Sequence, residues 1–458
     1  MMKDLEKIKA REEKQLARLQ KEQKRSNYSW YFTGLLVCLI LLVILDSFST
    51  NCSNSLQSAI VNEFFVVGQG LSFQEGLSKL SLAQSPLMLL SIVATLMLAV
   101  SDRVGRKPML LISAVGMTLG MLWVSFSQSF SVYIVGAAMV TFFVSFDMHQ
   151  LYIVEVAPTD KRATWQALSQ FFGQLAVASV GVMRLLNTDN DQLAWRNIYL
   201  VPAVVGVVVV VLLALFVRES DVFLSQRIAF LQTPYEQRTV KAGKKEKQNT
   251  SSGGLGKAFG YIFKDRQMRW VILSLLLFRL AIPAFTSYYE SIMVSSNMLT
   301  DMVSFALIFM AAFSGVARLS AGFLSDRMGR KNTSILYSVI SIAALIAFIF
   351  AARGGAPAAV VGILLGVSTG AYWTVGDQIA LLMNESAPTG IRGSVTAAAG
   401  LIQVVIAIVA MVFAGIMIRF VEVGIFCVVY GAVILALATV FLVFKVKETK
   451  GVDMDSIG

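Results

Sequence analysis

Long apolar segments follow one another along most of the sequence and limit its possible folds more than any other feature. A helix of about 20 residues crosses the roughly 30 Å hydrocarbon core of a bilayer. Hydrophobic residues make up 56% of the chain and charged residues only 15%, whereas a soluble domain carries about 25% charged residues. The sequence therefore predicts an all-α polytopic membrane protein with twelve transmembrane helices. We place these at approximately 30–60, 82–100, 108–127, 130–153, 163–187, 197–217, 269–293, 302–324, 331–351, 356–383, 393–419 and 424–445.

Lysine and arginine collect in every second connection between these segments. They are dense in the arm of residues 1–29, in the polar linker of residues 218–268 and in the tail of residues 446–458. Such segments usually lie in the cytoplasm, so the net charge of +11 indicates membrane topology rather than nucleic-acid binding. We expect a multi-pass protein of the plasma membrane with both termini cytoplasmic. The arm lacks the apolar core of a cleavable signal peptide.

Charged motifs recur once in each half of the chain. SDRVGRK at residues 101–107 returns as SDRMGRK at residues 325–331. VEVAPTDKRA follows the fourth apolar segment and NESAPTGIRG follows the tenth, and Glu155 and Glu385 hold the same position in these two boxes. Two matches in the same order at nearly the same offset indicate an internal repeat.

A third match extends the repeat to the end of each half. Glu219 after the sixth segment is matched by Glu448 after the twelfth, again at nearly the same offset. The repeat predicts two homologous six-helix bundles, at residues 30–217 and 269–445, related by pseudo-two-fold symmetry about an axis along the membrane normal.

The repeated D-R-x-G-R-K motif resembles the loop signature of the major facilitator superfamily. The E-x-A-P-x-x-x-R boxes, together with Trp195-Arg196 and Glu448-Thr449, resemble the sugar-porter and metabolite–proton symporter branch. The resemblance covers nearly the whole chain. It implies a monomeric secondary transporter, not an enzyme, whose two bundles rock around one central site in the bilayer. The chain carries no Walker motif, nucleophile–base set or metal-ligand spacing, so we expect no ATP, cofactor or metal.

The resemblance also implies a cytoplasmic gate. Asp102 would face the start of the eleventh segment near Gly393, and Arg103 and Arg106 would pair with acids such as Glu155. Such pairs would form when the cytoplasmic side closes and break when it opens; alternatively, the charges only set the topology. The predicted gate residues are Asp102, Arg103, Gly105, Arg106, Glu155, Arg162, Asp326, Arg327, Gly329, Arg330, Glu385 and Arg392.

Two segments depart from the sugar-porter pattern where sugar-binding residues are expected. In the seventh segment, Arg279-Leu280 stand in place of a Gln-Gln pair. In the tenth, the G-P-x-x-W pattern becomes Gly376-Asp377, with Ala380 in the tryptophan position. The resemblance therefore supports a shared transport mechanism more than it supports a hexose substrate.

Three ionisable residues inside the apolar segments are candidates for proton coupling, because a charge at mid-membrane costs at least ~2.5 kcal/mol. Asp46 interrupts the first segment at a position similar to that of the coupling acid in proton symporters of this branch. The alternative is an acid in a wet vestibule that never changes its protonation. Asp147 and His149 lie late in the fourth segment, where they serve either a proton relay or a hydrogen bond at the inner gate.

Arg279 is the first candidate for substrate binding, since it lies about 15 Å into the seventh segment at 1.5 Å per residue. It either receives a substrate carboxylate or is the permanent partner of Asp46 or another acid. We expect Arg318 to be structural and Glu290 to reach water. The full set of substrate-binding candidates is Arg184, Arg279, Tyr288, Tyr289, Tyr372, Trp373 and Asp377; for the aromatic residues, packing is the alternative.

The leading hypothesis is the proton-coupled uptake of an organic acid or a similar small metabolite. The intramembrane arginines and the replaced sugar-site residues favour that solute class. Sugar–proton symport and drug or metabolite efflux by proton antiport are the alternatives. A transporter-like nutrient sensor would need a long signalling tail, and a membrane-embedded enzyme would need a catalytic cluster.

Overall fold

The protein is a bundle of helices in a computed structural model that describes residues 13, 15–17, 19–20, 29–156, 162–186, 194–232, 253–388 and 391–449. Within these ranges every regular element is helical. We number the membrane-spanning segments span 1 to span 12. The first six are Ser29–Ser55 with Gln57–Val61 (span 1), Phe73–Gln84 with Leu89–Val104 (span 2), Arg106–Ser125 (span 3), Phe130–Val144 with Met148–Val156 (span 4), Arg162–Leu186 (span 5) and Ala194–Phe216 (span 6).

The second bundle repeats this arrangement after two linker helices, Asp221–Gln232 and Gly253–Lys264. Its spans are Arg266–Leu280 with Tyr289–Ser295 (span 7), Thr300–Met328 (span 8), Arg330–Arg353 (span 9), Ala358–Ser386 (span 10), Arg392–Met417 (span 11) and Val423–Lys445 (span 12). The two predicted six-helix bundles are therefore confirmed.

Span 5 is the most polar of the twelve. In the described ranges, eleven helices are long and apolar enough to cross a membrane, and span 5 is not among them, although it has 25 residues. It packs against span 1 and span 8, so it lies between the two bundles and can carry polar side chains such as Gln170 and Gln174. With span 5 included, the predicted number of twelve spans is confirmed.

Span 2 begins earlier than the sequence indicated. Its first helix starts at Phe73, not near residue 82. Ser72 caps this helix: its hydroxyl accepts a hydrogen bond from the Glu75 amide (3.3 Å), and the Glu75 carboxylate accepts one from the Ser72 amide (3.2 Å). This capping box fixes the helix start. The first turns are polar because Gln74 and Ser78 bond to the second bundle rather than facing lipid, which concealed them from a hydropathy argument.

Spans 1 and 7 are both interrupted near the same end of the molecule. Span 1 breaks at Leu56 and ends in a π-helical turn over Asn62–Val67. Span 7 has a π-helical turn over Pro283–Ser287, where the proline has no N–H to offer a regular helix. Turns of this kind occur frequently at functional sites.

We call the two ends of the helix bundle the linker side and the far side. The linker side carries Gly105, Gly329 and the two linker helices, the first of which packs against Leu19 of the N-terminal arm. The far side carries the break at Leu56 and the end of span 7.

Candidate functional site

On the far side, a buried ion pair joins the two bundles. Arg184 of span 5 lies 3.0 Å from Glu290 of span 7, and their side chains are 8% and 0% exposed. Glu290 also accepts hydrogen bonds from the backbone N–H of Ser58 (2.8 Å) and from its hydroxyl. Arg184 donates in addition to the carbonyl oxygen of Ser55. Several charge-assisted hydrogen bonds therefore satisfy a carboxylate that has no access to water.

Further hydrogen bonds between the bundles surround this pair. They are Ser55–Tyr289 (2.9 Å), Tyr288–Ser81 (3.1 Å), Ser291–Gln57 (2.7 Å), Ser78–Gly415 (2.5 Å) and Gln74–Val421 (2.9 Å). We call this set, with the Arg184–Glu290 pair, the far-side seal. The expectation that Glu290 reaches water is wrong, because the meeting of the two bundles buries it. The predicted substrate candidates Arg184, Tyr288 and Tyr289 are placed in the seal rather than at a cavity.

Within the first bundle, three ionisable side chains of spans 1 and 4 converge. Carboxylate oxygens of Asp46 and Asp147 and a ring nitrogen of His149 all lie within 4.8 Å of one another. His149 is 4% exposed, whereas Asp147 is exposed, so the group has a buried end and an open end. We call it the acid–histidine group. The structure thus brings together the three residues that the sequence singled out for proton coupling.

Asp147 reaches this group because span 4 breaks just before it. Its φ angle is +46°, a left-handed conformation that few residues other than glycine adopt. The helix ends at Val144 and restarts at Met148, and the Asp147 amide donates to the Val144 carbonyl (3.2 Å). Residues held in such sparsely populated conformations cluster at functional sites.

A cavity of about 310 Å³ lies beside the acid–histidine group, mainly between spans 1, 2 and 4. Thr50 of its wall donates to the Asp46 carbonyl (2.9 Å), and Ser145 of its wall is close in sequence to Asp147. Among the described residues no charged side chain lines this cavity. Its hydrogen-bonding groups include those of Ser49, Ser53, Asn54, Gln84, Tyr133 and Thr141. Such a wall suits a small polar solute and the water around it.

Arg279 is held within the second bundle. Its Nε donates to the amide oxygen of Gln403 in span 11 (2.8 Å), and its guanidinium lies 5.8 Å from the ring centre of Phe278. In the described part of the chain no carboxylate lies within ion-pair distance of Arg279. Among the described residues, this conformation therefore does not show a permanent pair of Arg279 with Asp46 or another acid.

Tyr372 takes a packing position. It is fully buried, its ring is stacked between those of Phe278 (4.4 Å) and Phe285 (4.6 Å), and its hydroxyl donates to the Phe278 carbonyl (2.5 Å). Trp373 is half-buried and meets the same Phe278 ring edge to face at 6.4 Å. Tyr372 is not among the described residues that line the cavity near the acid–histidine group.

A second cavity, of about 450 Å³, lies between the two bundles toward the linker side. Span 5 contributes Gln170 and Gln174 to its wall, and spans 8 and 10 contribute Arg318 and Asp377. The Arg318 guanidinium is 3.4 Å from the Asp377 carboxylate, and their side chains are 25% and 61% exposed. The far side is thus closed, while a polar cavity separates the bundles on the linker side. Arg318, expected to be structural, shares this cavity with the predicted substrate residue Asp377.

The two repeated loops on the linker side have the same geometry. Gly105 and Gly329 have φ angles of +118° and +91°, so the chain needs glycine there. The Glu219 carboxylate accepts a hydrogen bond from the Arg106 amide (2.6 Å), and the Glu448 carboxylate accepts one from the Arg330 amide (2.9 Å). Each carboxylate therefore sits at the N-terminus of the following helix, where negative charge is favourable.

The predicted gate of the second bundle forms within that bundle. Arg330 lies 3.1 Å from Glu385 and 3.8 Å from Asp326. Arg392 donates to the Ala387 carbonyl (3.2 Å). Asp326 is 83% exposed, and Arg327 is exposed as well. The side chains of Asp102, Arg103, Glu155 and Arg162 lie outside the described residues, so their predicted gate contacts stay predictions.

Three glutamates belong to these sites although they are not among the predicted site residues. Glu219 and Glu448 stand out in the sequence as the third matched pair of the repeat. That nearly constant offset beside the repeated loops was the available signal for a shared contact. Glu290 had no comparable signal, because its burial depends on how the second bundle meets the first.

Two repeated six-helix bundles, closed at one end and separated by a polar cavity toward the other, define a secondary transporter. Residues 39–411 match the sequence model of the Major Facilitator Superfamily, and the chain belongs to that family. It is 25% identical over 379 residues to "Probable metabolite transport protein CsbC" of Bacillus subtilis, covering 78% of this chain and 80% of that one. It is 27% identical over 384 residues to "Plastidic glucose transporter 4" of Arabidopsis thaliana, covering 78% and 68%.

Solved structures have the same fold. A D-xylose-proton symporter superposes with a TM-score of 0.69 at 19% identity, covering 92% of this chain and 99% of that one. An inward open conformation of the xylose transporter XylE from E. coli gives the same TM-score and identity, covering 93% and 99%. The chain therefore has the fold of these structures and is a multi-pass membrane protein of the Major Facilitator Superfamily.

Proposed function

We propose that the protein is a proton-coupled symporter that takes up a small polar metabolite by alternating access. The observation that carries the coupling is the acid–histidine group, in which Asp46, Asp147 and His149 meet beside a hydrogen-bonding cavity. The three side chains do not line that cavity themselves, but Ser145 and Thr50 of its wall are their neighbours in the chain. Ionisable groups so close to a solute site can link protonation to solute binding.

The same proposal places the linker side in the cytoplasm of a plasma membrane. The excess of lysine and arginine on that side supports this orientation, and the conformation is then inward-facing. Residues 30–217 and 269–445 would move as two bodies joined by the linker of residues 218–268. The opposite conformation requires the far-side seal to break.

An organic acid is our first candidate for the solute, because the guanidinium of Arg279 bonds only to a neutral amide in the described residues. The support differs from what the sequence suggested, since Arg184 is enclosed with Glu290 in the seal and Arg318 shares an exposed pair with Asp377. A sugar is the second candidate. The hydroxyl- and amide-lined cavity near the acid–histidine group favours it, as does the likeness to relatives described as glucose and xylose transporters.

The test is solute uptake into vesicles that contain the purified protein, with and without an imposed pH gradient. We expect the gradient to drive uptake in the wild type, and Asp46→Asn or Asp147→Asn to abolish that dependence. Asp301→Asn is the matched control, because Asp301 is an exposed acid in the first turn of span 8. If uptake ignores the gradient, or if Asp46→Asn leaves its effect unchanged, the coupling proposal fails.

A further inference from the structure

We propose that the cavity around Arg318 and Asp377 binds a zwitterionic head group, meaning a carboxylate and an ammonium carried by one small solute. The proposal rests on the transport function above and narrows its substrate class. The cavity volume of about 450 Å³ lies within the range of small-molecule sites, and its walls come from both bundles, as an alternating-access site requires.

The Arg318–Asp377 pair is held loosely enough to be exchanged. Its closest nitrogen–oxygen distance is 3.4 Å, and its two side chains are 25% and 61% exposed. Exposed ion pairs contribute little net stability. The Arg184–Glu290 pair differs on each of these points, because it is shorter, fully enclosed and supported by further donors. A solute can therefore replace the Arg318–Asp377 contact without dismantling the protein.

Two amide side chains face the same space without internal partners. In the described part of the chain, the side chains of Gln170 and Gln174 form no hydrogen bond, and both line the cavity. Asn384 lines it as well, and its amide oxygen accepts from Thr396 (2.7 Å). These groups offer donors and acceptors to the polar parts of a solute, in addition to the two charges.

Small residues keep this cavity open. Gly315, Gly322 and Ala380 lie on its wall, and a methyl group added at Gly322 would meet nothing within 4 Å. Ala380 stands where the sugar-porter pattern has tryptophan, and Asp377 stands where it has proline. Ala380 in place of tryptophan thus leaves space in the cavity, and Asp377 in place of proline supplies its negative charge.

The paired charges select the solute class. A carboxylic acid would bind Arg318 but leave Asp377 without a counter-charge, and a simple amine would do the reverse. Each of these solutes would also place its charge beside a protein charge of the same sign, which is unfavourable. A zwitterion satisfies both members at once, with the carboxylate on Arg318 and the ammonium on Asp377. A sugar would use neither charge.

The test is direct binding to the purified full-length protein in detergent, measured by calorimetry. The zwitterionic probes are L-alanine, β-alanine and glycine betaine, and the comparison solutes are propionate, ethylamine and D-xylose. We expect at least one zwitterion to bind more tightly than all three comparison solutes. Asp377→Asn and Arg318→Gln should each weaken that binding at least about tenfold, the range for loss of a charge-assisted hydrogen bond.

Arg353→Gln is the matched control, because Arg353 pairs with Glu422 at comparable exposure but outside the cavity. It should leave zwitterion binding unchanged, and thermal melting shows whether each variant is folded. The proposal is overturned if no zwitterion binds, if propionate or D-xylose binds as tightly, or if folded Asp377→Asn and Arg318→Gln variants bind normally. Vesicle uptake under a pH gradient is scored separately. Zwitterion binding without gradient-driven uptake would refute the symport function alone.

Discussion

Replacing Glu290 by glutamine should shift the protein from a state closed on the far side to a state open there. The carboxylate has no exposed surface and lies 3.0 Å from Arg184. An amide in its place would leave the Arg184 guanidinium buried without a counter-charge. Removal of one partner from a buried ion pair costs about 3–5 kcal/mol.

That loss applies to the closed state only. When the far side opens, water reaches Arg184, and the missing carboxylate matters little because exposed pairs contribute about 0–1 kcal/mol. The net loss is about 2–5 kcal/mol, and since each 1.4 kcal/mol changes an equilibrium about tenfold, the ratio of open to closed molecules should rise by at least about 30-fold. The variant is expected to favour the conformation that is open on the far side and, by alternating access, closed on the linker side.

Cysteine labelling measures this population. The three native cysteines, Cys38, Cys52 and Cys427, are all buried and can be replaced to give a silent background. Ser78→Cys is the reporter, because Ser78 is 3% exposed and contacts Gly415 across the seal. A membrane-impermeant maleimide should label it at least about 30 times faster in Glu290→Gln, unless labelling reaches its intrinsic rate first.

A matched variant separates the seal from a general loss of charge. Glu63 forms a two-point pair with Arg196 (2.5 and 2.7 Å) on the far side, but both residues belong to the first bundle. Glu63→Gln should therefore not speed the labelling, and Arg184→Gln combined with Glu290→Gln should return it toward the wild-type rate. Equal labelling in Glu63→Gln and Glu290→Gln, or no increase in either, would refute the reasoning.

The remaining predictions concern the repeated loops and Arg279. Gly329→Ala should lower the melting temperature by an amount equivalent to about 1–3 kcal/mol, because its φ is +91° and a Cβ there would collide with the Glu448 carboxylate. Gly322→Ala, in open space within a helix, should leave it unchanged or raise it, and equal losses would contradict the geometry. Arg279→Gln should raise the KM of a transported carboxylate about tenfold or more; an unchanged KM would remove Arg279 from the substrate site.

The twelve spans and the two bundles could be predicted because their signals are local. Hydrophobic length, loop charge and a repeated motif are properties of short stretches, and the bilayer makes them decisive. The same reliance on local signals explains why the start of span 2 was predicted too late in the chain. Its Ser72–Glu75 cap is readable, but its first turns are polar because they bond to the other bundle.

The candidate sites are formed by residues from segments that are distant in the sequence. The sequence indicated which residues are candidates, but it did not show which of them contact one another. Asp46, Asp147 and His149 were each singled out for being ionisable within an apolar segment. That they meet follows from the packing of span 1 on span 4 and from the left-handed turn at Asp147. The sequence favoured an exposed Glu290 because this residue lies near the end of span 7. Its burial depends on how the two bundles pack together, which no local sequence pattern shows.

In the second bundle, the repeated charge cluster makes its contacts within one bundle in this conformation. A gate pair should break when its side opens, yet Arg330–Glu385 is intact beside an open cavity. Both residues belong to the second bundle, as do Gly329 and Glu448, so these contacts can persist in either conformation. They hold the ends of spans 8, 9, 10 and 12 together while the bundle rotates as one body.

The contacts that must break and form are those between bundles. On the far side these are the Arg184–Glu290 pair and its surrounding hydrogen bonds. On the linker side, the exposed carboxylate of Asp326 forms no ion pair with the other bundle in the described residues. In a transporter built this way, the repeated sequences hold each bundle together, and residues that are not repeated make the contacts that change between conformations. The repeat therefore predicted the two bundles but did not predict the far-side seal.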